Sequence, residues 1–332
     1  MRRERWFILP AVDSGVRVLH IGIDIGGTNI AVGLVSNGSI LCKEAVKTSK
    51  GISDKKLTDD IFKVISELCK KTGVDVSEIK SIGIGAPGAP DVKNGKTGRL
   101  VNITNAEFDF RGEFKRYTDA DVFVDNDANC AAIGEAESGA ARGCANVVMI
   151  TLGTGVGAGI IINNKLNGGF NGAAGEIGHT TIVYNGEQCN CGNKGCYEAY
   201  ASVTALIRYT KAAADKNPDS IIAEIASKSG IDGMTAFTAA KKGDKTAEEV
   251  IDKYTEYVSV GIANIINILQ PEMIVIGGGI SKEGEYLLNP IRAKVKDKVF
   301  TKDTGYAEIK AAELANDAGI LGAAMLFKYR DI

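Results

Sequence analysis

Two segments of the sequence share one layout, and this internal repeat constrains the fold more than any other feature. Residues 21–40 read IGIDIGGTNIAVGLVSNGSI and residues 147–166 read VVMITLGTGVGAGIIINNKL. Each predicts a strand, a glycine corner, a strand, an asparagine turn and a strand, with Gly26 aligned on Gly153. The repeat predicts two halves of similar topology that face each other across a cleft, each bringing one glycine loop to it. Chance similarity of two glycine-rich hairpins is the alternative.

Composition narrows the class of protein. A chain of 332 residues is long enough for two domains. Its 39 Lys and Arg against 41 Asp and Glu give a net charge of −2, which argues against a nucleic-acid partner. No segment approaches the roughly 18 apolar residues of a membrane span, and the apolar run at 6–9 is too short for a signal peptide. We therefore expect a cytoplasmic protein without a membrane partner.

Hydrophobic periodicity predicts an α/β protein whose second half is mostly helical. Alternating or continuous apolar runs predict strands at 18–25, 30–35, 40–46, 79–85, 121–125 and 273–277. A 3.6-residue period predicts helices at 54–71, 197–214, 218–228, 244–269, 283–299 and 316–328. We expect an N-terminal extension at 1–17, a small α/β domain at 18–122 completed by the helix 316–328, and a large α/β domain at 123–315.

Three glycine loops have the chemistry of nucleotide binding. In the first, Asp24 at a strand end precedes Gly26 and Gly27, where bare backbone N–H groups can approach a phosphate and the carboxylate can hold Mg²⁺. A tight hairpin with an Asp cap is the alternative. The second loop, 152–157, repeats the cradle without the acid, and a strand follows it, which excludes P-loop and Rossmann motifs. The third, GGG at 277–279, suits a base or ribose, although a plain turn between strand and helix would also explain it.

The sequence Asn126-Asp127-Ala128-Asn129 follows a predicted strand and begins an alanine-rich helix. Asp127 is either the N-cap of that helix or a carboxylate that accepts a proton from a substrate hydroxyl. Spacing alone does not decide between the two roles.

The most specific feature is a cluster of one histidine and three cysteines between residues 179 and 196. His179, Cys189, Cys191 and Cys196 supply an imidazole and three thiolates, the closed tetrahedral set of a structural Zn²⁺ site. Four protein ligands leave no position for a catalytic water. Glu176 and Glu198 flank this loop, either as solvated surface residues or as ligands for a polyol.

Six segments together resemble the ROK family of bacterial sugar kinases and related repressors, from about residue 19 to 328. They are DIGGT (24–28), APG (86–88), NDAN (126–129), TLGTGVGAG (151–159), GEIGH (175–179) and CNCGNKGCYE (189–198). The resemblance implies an actin-like ATPase fold of two ribonuclease-H-like halves around a cleft. It also implies ATP-dependent phosphorylation of a hexose at the 6-hydroxyl, with glucose as the first expectation.

The resemblance also implies a role for each matching residue. Asp127 resembles the family's general base. The sugar contacts implied are Asn105, Asn126, Glu176, His179 and Glu198, where Asn105 is the best match to the family's N-L-x-W pattern and Asn102 lies nearby. ATP and Mg²⁺ would be held by Asp24, Gly26, Gly27, Thr28, Thr151, Gly153, Thr154, Gly155, Gly277, Gly278 and Gly279. Homodimers or homotetramers are the implied assemblies.

Other functions remain open from the sequence. Kinases for N-acetylmannosamine, N-acetylglucosamine, mannose or fructose share these motifs. A repressor would need a DNA-binding module ahead of the first strand, where this chain has residues 1–17. A non-catalytic sugar-binding module is the third alternative, and assays of ADP release with glucose separate the kinase from both.

Overall fold

A computed structural model describes residues 18–27, 29–47, 51–98, 107–301 and 303–330. The predicted extension 1–17 lies outside these ranges, as do Thr28, Asn102 and Asn105. The chain forms two compact units. The first unit contains the described residues up to 145, then 159–174 and those from 313, and the second unit contains 146–158 and 175–312.

The first unit is built on a mixed five-stranded sheet. Its strands are β1 (Leu19–Ile25), β2 (Asn29–Ser36), β3 (Ser39–Lys47), β4 (Ile79–Ala86) and β7 (Asp121–Asn126). Their order is β3-β2-β1-β4-β7, with β1 to β3 antiparallel and β4 and β7 parallel to β1. Asn37 and Gly38 both have positive φ, as the two-residue turn between β2 and β3 requires.

Helix α1 (Asp54–Thr72) packs against this sheet through one apolar stripe. The buried residues of the stripe are Leu57, Ile61, Val64, Ile65 and Leu68, so that the predicted helix period is confirmed. The smaller elements of this region are β5 (Lys96–Thr97), β6 (Phe108–Asp109) and α2 (Phe110–Phe114). The Phe side chains of 108, 110 and 114 complete the core that α1 covers.

The opposite side of the sheet is covered by α3 (Asp127–Ser138), α10 (Asp317–Ala324) and α11 (Leu326–Tyr329). Helix α10 approaches so closely that a Cβ at Gly22 of β1 would overlap the carbonyl of Ile320, and one at Gly83 of β4 that of Ala323. Within α10 itself, a Cβ at Gly322 would overlap the carbonyl of Cys130 in α3. Glycine is therefore required where the backbone of α10 meets the sheet and where it meets α3.

A second sheet has the same strand order as the first. Its strands are β8 (Val147–Leu152), β9 (Val156–Ile162), β10 (Lys165–Leu166), β11 (Met273–Gly277) and β12 (Glu308–Ala311), in the order β10-β9-β8-β11-β12. Strands β8, β11 and β12 are parallel, and β9 and β10 join through Asn163 and Asn164, both with positive φ. The equal strand orders confirm that the two repeated segments have one topology. The units divide within β9.

Helices make up most of the second unit. They are α4 (Glu198–Ala201), α5 (Val203–Lys216), α6 (Ile221–Ser229), α7 (Thr235–Ala240), α8 (Lys245–Leu269) and α9 (Glu285–Lys298). The long α8 packs against α4, α5, α7 and α9, and its buried residues recur three and four positions apart. Asp244 accepts a hydrogen bond from the Thr246 N–H at the start of α8.

Three expectations from the sequence need correction. The helix expected at 197–214 is broken at Ser202, whose hydroxyl caps α5 by accepting from the Ala205 N–H. The helix expected at 316–328 is likewise two helices, α10 and α11, separated at Met325. Only one strand was expected after residue 197, but β12 is a second, since it pairs in parallel with β11.

The two units do not divide where the sequence placed its domain boundary, after residue 122. Residues 123–145 cluster with the first unit because β7 pairs with β4 and α3 packs against α10. The helical segment near 316–328 also lies in the first unit. Of the helices in the described ranges, none is both long and apolar enough to cross a membrane.

Candidate functional site

The first glycine loop of the first unit leaves backbone open to an approaching ligand. Gly26 donates its N–H to the Asn29 carbonyl at 3.0 Å, which closes the turn after β1. Gly27 is exposed, and a Cβ built on it would meet no atom within 4 Å. The loop therefore has the free space that a phosphate oxygen needs. Thr28 lies outside the described residues.

Asp127 is the first residue of α3, and the N-cap is its neighbour. The Asn126 side chain accepts from the N–H groups of Ala128 and Asn129, at 2.8 and 3.3 Å, and its Nδ2 donates to the Gly88 carbonyl at 2.8 Å. The Asp127 carboxylate also accepts from the Ala128 N–H, at 2.8 Å. The cap role considered for Asp127 thus belongs to Asn126, and the sugar contact assigned to Asn126 stays a prediction.

Asp24 and Asp127 form a pair of interacting carboxylates in the first unit. Burial and, to a smaller extent, the negative charge of Asp127 together raise the pKa of Asp24 to about 6. A Cβ on Gly319 of α10 would lie 2.6 Å from Oδ2 of Asp24, so glycine at that position gives the carboxylate its room. Two acidic groups whose ionisation is mutually unfavourable fit a divalent cation such as Mg²⁺, which would relieve the repulsion.

A buried ion pair lies directly before Asn126, and the sequence analysis did not find it. Asp125 is 1 % exposed and accepts from Nε of Arg330 at 2.6 Å. Its other oxygen accepts from the Asn126 N–H at 2.8 Å and from Nδ2 of Asn129 at 2.7 Å. An acidic residue at the buried end of an apolar strand was the available signal for Asp125, since such charges are normally paired. No local pattern marks Arg330.

In the second unit, the second glycine loop is tied to the start of α5. Gly153 accepts from the Val203 N–H at 2.8 Å, and the Thr154 carbonyl accepts from the Thr204 hydroxyl at 2.8 Å. A Cβ on Gly153 would meet nothing within 4 Å. One on Gly155 would overlap Oε2 of Glu198. Gly153 therefore leaves space for a phosphate, whereas Gly155 leaves space for a carboxylate of this chain.

The third glycine segment packs on the second glycine loop within the same unit. Gly278 has a φ of 93°, and its Cβ would overlap the carbonyl of Leu152. Gly279 is open, with nothing within 4 Å of an added Cβ. A 3₁₀ helix at Gly279–Glu283 follows, and α9 begins only after Gly284. The Ser281 hydroxyl donates to the Gly278 carbonyl.

The predicted zinc ligands come together in the second unit. The donor atoms of His179, Cys189, Cys191 and Cys196 all lie within 4.8 Å of one another. Nδ1 of His179 is 3.7 Å from Sγ of Cys189, and Sγ of Cys191 is 3.6 Å from Sγ of Cys196. With metal–donor distances of about 2.0–2.3 Å, tetrahedral Zn²⁺ separates its donors by about 3.5–3.8 Å, so these residues fit the ion.

The thiols of this cluster lie close enough to affect one another's ionisation. Burial, and then the neighbouring Cys191 and Cys189, raise the pKa of Cys196 to about 12. Such a thiol is protonated at neutral pH unless a positive charge stabilises its thiolate. The loop ends on Tyr197, which is fully buried and donates its hydroxyl to the Val258 carbonyl of α8 at 2.9 Å. The cluster is thus fixed to the helical core of its unit.

The two flanking glutamates have different surroundings. Glu176 lies beside the histidine, with Oε2 3.9 Å from Nε2 of His179. Glu198 begins α4 and accepts from the Val156 N–H at 3.0 Å, while its Oε1 is 3.8 Å from Sγ of Cys189. Glu198 therefore connects the segment that carries the predicted zinc ligands, residues 179–196, to the second glycine loop. Since Nδ1 of His179 faces Cys189, Nε2 is the nitrogen left for another partner.

The structure distributes the predicted site residues over the two units. The first unit contains Asp24, Gly26, Gly27, Asn126 and Asp127. The second unit contains Thr151, Gly153, Thr154, Gly155, Glu176, His179, Cys189, Cys191, Cys196, Glu198, Gly277, Gly278 and Gly279. Thr28 and Asn105 lie outside the described residues. The roles of all these residues stay predictions.

Comparisons with known proteins give one consistent family. A sequence model of the ROK family matches residues 20–330. The glucokinase of Halalkalibacterium halodurans is 38% identical over 317 residues, which are 94% of this chain and 96% of the relative. The glucokinase of Thermotoga maritima is 37% identical over 312 residues, 93% of this chain and 97% of the relative.

A solved structure agrees with the sequence relatives. The crystal structure of a ROK family glucokinase from Streptomyces griseus, in complex with glucose and AMPPNP, superimposes with a TM-score of 0.75 at 36% identity. The match covers 93% of this chain and 98% of that protein. The predicted actin-like α/β fold is thereby confirmed.

Proposed function

The chain belongs to the ROK family, and we propose that it is a glucokinase, which transfers the terminal phosphoryl group of ATP to the 6-hydroxyl of glucose. Full-length glucokinase relatives and a neighbour that binds glucose and AMPPNP support this function. The observation that carries it is the placement of Asp127 at the start of α3, where its charge raises the pKa of the nearby Asp24.

Asp127 acts as the general base in this proposal. Its carboxylate takes the proton of the sugar 6-hydroxyl while that oxygen attacks the terminal phosphorus, and the bond to ADP breaks. The hydrogen bond from the Ala128 N–H fixes the side chain without neutralising it. Because phosphoryl transfer needs little covalent chemistry from the protein, positioning and charge stabilisation supply most of the rate.

The sugar contacts proposed are Asn126, Glu176, His179 and Glu198, together with Asn105. Support comes from the second unit, where the His179 ring directs Nδ1 to Cys189 and leaves Nε2 near Glu176. A neutral imidazole that ligates zinc through Nδ1 carries its proton on Nε2 and can donate it to a sugar hydroxyl. The carboxylates of Glu176 and Glu198 would accept hydrogen bonds from sugar hydroxyls.

The phosphates of ATP are proposed to lie on the two glycine loops, at Gly26, Gly27, Thr28, Thr151, Gly153 and Thr154. Gly277, Gly278 and Gly279 would take the adenosine. Support is the absence of any atom within 4 Å of an added Cβ at Gly27, Gly153 and Gly279, all described residues. When bound, Mg²⁺ neutralises phosphate charge, and Asp24 is the carboxylate proposed to hold it or its water shell.

Structural zinc is proposed at His179, Cys189, Cys191 and Cys196. When bound, Zn²⁺ stabilises the loop that carries both glutamates. Glu198, at the end of this loop, accepts a hydrogen bond from the Val156 N–H of the second glycine loop. Zinc that orders the loop would therefore also fix Glu198, one of the proposed sugar contacts. We further propose that the protein works in the cytoplasm as a homodimer or homotetramer, which size-exclusion chromatography with light scattering tests.

The decisive experiment is Asp127→Asn, with Asp121→Asn as control. The amide keeps its hydrogen-bonding capacity but takes no proton, so turnover should fall by at least about 100-fold while glucose affinity changes little. Asp121 is an exposed carboxylate on the same strand-to-helix segment, and its variant should keep full activity. Glucose-dependent ADP release and calorimetric glucose binding provide the readouts. Turnover of Asp127→Asn within threefold of wild type would remove Asp127 as the base.

A further inference from the structure

We propose that Arg330 is a positioning residue for phosphoryl transfer: through its ion pair with Asp125 it fixes the start of α3 and thereby the carboxylate of Asp127. This inference rests on the proposed role of Asp127. It assigns a function in the reaction to a residue 205 positions away from Asp125 in the chain.

The ion pair is almost entirely removed from water. Arg330 follows α11, and its Nε lies 2.6 Å from Oδ2 of Asp125, with side-chain exposures of 15% and 1%. A carboxylate this deeply buried needs a partner, because an uncompensated buried charge is strongly unfavourable. Asp125 therefore keeps its place only while Arg330 is present.

Arg330 is itself restricted by the backbone on another side. A Cβ on Gly168 would lie 2.5 Å from Nη1 of Arg330 and 2.6 Å from its Nη2. The absence of a side chain at 168 thus makes room for the guanidinium group. The arginine is confined between the Gly168 backbone and the carboxylate of Asp125.

Asp125 is hydrogen-bonded to residues on both sides of Asp127 in the sequence. Its Oδ1 accepts from the Asn126 N–H at 2.8 Å and from Nδ2 of Asn129 at 2.7 Å. Asn126 caps α3, and Asn129 lies in the first turn of that helix. The residues before and after Asp127 are therefore held by one carboxylate, whose position depends on Arg330.

Arg330 and three carboxylates all lie close to the buried thiol of Cys130 in α3. Burial raises the pKa of the Cys130 thiol, and the charges of Asp125, Asp24 and Asp127 raise it further, whereas Arg330 lowers it. All four charged groups therefore lie near the Cys130 thiol. Removing Arg330 would leave three negative charges without this cation.

A base that is displaced slightly loses rate before the substrate loses affinity. Proton transfer requires the carboxylate within hydrogen-bond reach of the hydroxyl, and a displacement of about 1 Å can cost about 100-fold in rate. Of the glucose and ATP contacts proposed among the described residues, only Asn126 is bonded to Asp125, the partner of Arg330, so most of the binding contacts do not depend on this ion pair. The expected signature is therefore a loss in kcat with little change in either KM.

The experiment compares Arg330→Met, Arg330→Lys and the control Lys328→Met. Methionine removes the charge at similar length, and kcat should fall by about 10- to 100-fold, with both KM values within about threefold of wild type. Lysine keeps a positive charge and should restore most of the lost kcat. Lys328 pairs with Glu137 on the surface of the same unit, at 2.8 Å, and its variant should match wild type.

A double variant, Asp125→Asn with Arg330→Met, tests whether the two residues act together. It removes both partners of one ion pair, so if they act through that pair its kcat should match that of Arg330→Met alone and stay below that of wild type. It also serves as the readout if Arg330→Met does not fold: a low kcat supports the proposal, and a wild-type kcat overturns it.

The outcomes separate this inference from the proposed function. If Asp127→Asn is inactive while Arg330→Met keeps the wild-type kcat, the positioning role is wrong and the base is unaffected. If Arg330→Met raises both KM values as much as it lowers kcat, the residue is merely structural. Wild-type turnover in Asp127→Asn would instead refute the proposed function itself.

Discussion

Replacing Asp24 by asparagine should stabilise the folded protein while removing a carboxylate that the proposed reaction needs. Burial, with a smaller contribution from Asp127, raises the pKa of Asp24 from 3.8 to about 6. Since a tenfold change in proton affinity is worth about 1.4 kcal/mol, the ionised side chain lowers the free energy of unfolding by about 3 kcal/mol at neutral pH. The isosteric amide carries no charge and avoids this cost.

The sign of the pH dependence follows from proton binding. Well below pH 3.8, Asp24 is protonated in the folded and in the unfolded protein, and it contributes no pH dependence. Between pH 4 and 6, the folded state keeps the proton that the unfolded state releases, so the stability of the wild type falls as the pH rises. Above pH 6 both states are ionised, and the loss levels off at about 3 kcal/mol.

Urea unfolding of wild type and Asp24→Asn, followed by circular dichroism from pH 4 to 8 without added metal, measures this effect. The difference in unfolding free energy should grow by about 2.5 kcal/mol in favour of the variant between pH 4 and 7. Asp121→Asn, which removes an exposed carboxylate, is the control and should show no such growth. A stability difference that stays constant with pH would refute the reasoning. Kinase activity should be lost in Asp24→Asn at every pH.

Three further predictions address the second unit. Gly155→Ala should raise the KM for glucose more than the KM for ATP, because the added Cβ displaces Glu198. Gly153→Ala, whose Cβ meets nothing within 4 Å, should leave the KM for glucose unchanged. Steady-state kinetics of both variants test this prediction, and equal changes in the KM for glucose would contradict it. Cys191→Ser should contain no zinc by metal analysis and should bind glucose more weakly, with a smaller effect on ATP affinity. Cys42→Ser, outside the cluster, is the control and should keep zinc and both affinities. Normal glucose affinity in zinc-free Cys191→Ser would show that the metal does not affect the sugar contacts. Among hexoses assayed at one concentration, glucose should give the highest rate of ADP release, and a higher rate with mannose or N-acetylmannosamine would reassign the substrate.

Local sequence patterns were sufficient to predict the parts of the fold that local interactions decide. The apolar period of α1 and the asparagine turns of both sheets are confirmed by the structure, because burial period and positive φ are properties of a few adjacent residues. Strand β12 was missed: its sequence, EIKA, has only four residues, two of them charged, and the strand lies at the edge of the sheet. Helix α7, of only 6 residues, lacks the length for a periodic signal.

The same division applies to the candidate site. The predicted zinc ligands and the strand-end carboxylates lie within short motifs, and the structure brings the four predicted ligands together. By contrast, the partner of Asp125 is 205 residues away, and the space for Asp24 is provided by Gly319 at the other end of the chain. Contacts of this kind depend on which elements pack together. One sequence without its tertiary structure contains no signal for them.

The backbone contact between α10 and the first sheet can form only after α10 has been synthesised, near the end of translation. Strands β1 and β4 leave the ribosome early with Gly22 and Gly83 uncovered, and the helix that covers them is translated only after residue 316. The second unit, whose main segment runs without interruption from 175 to 312, is complete before that point. Because domains fold as units while the chain emerges, the half made first is the half that finishes folding last. Its exposed sheet is the surface on which a nascent-chain chaperone would have to act.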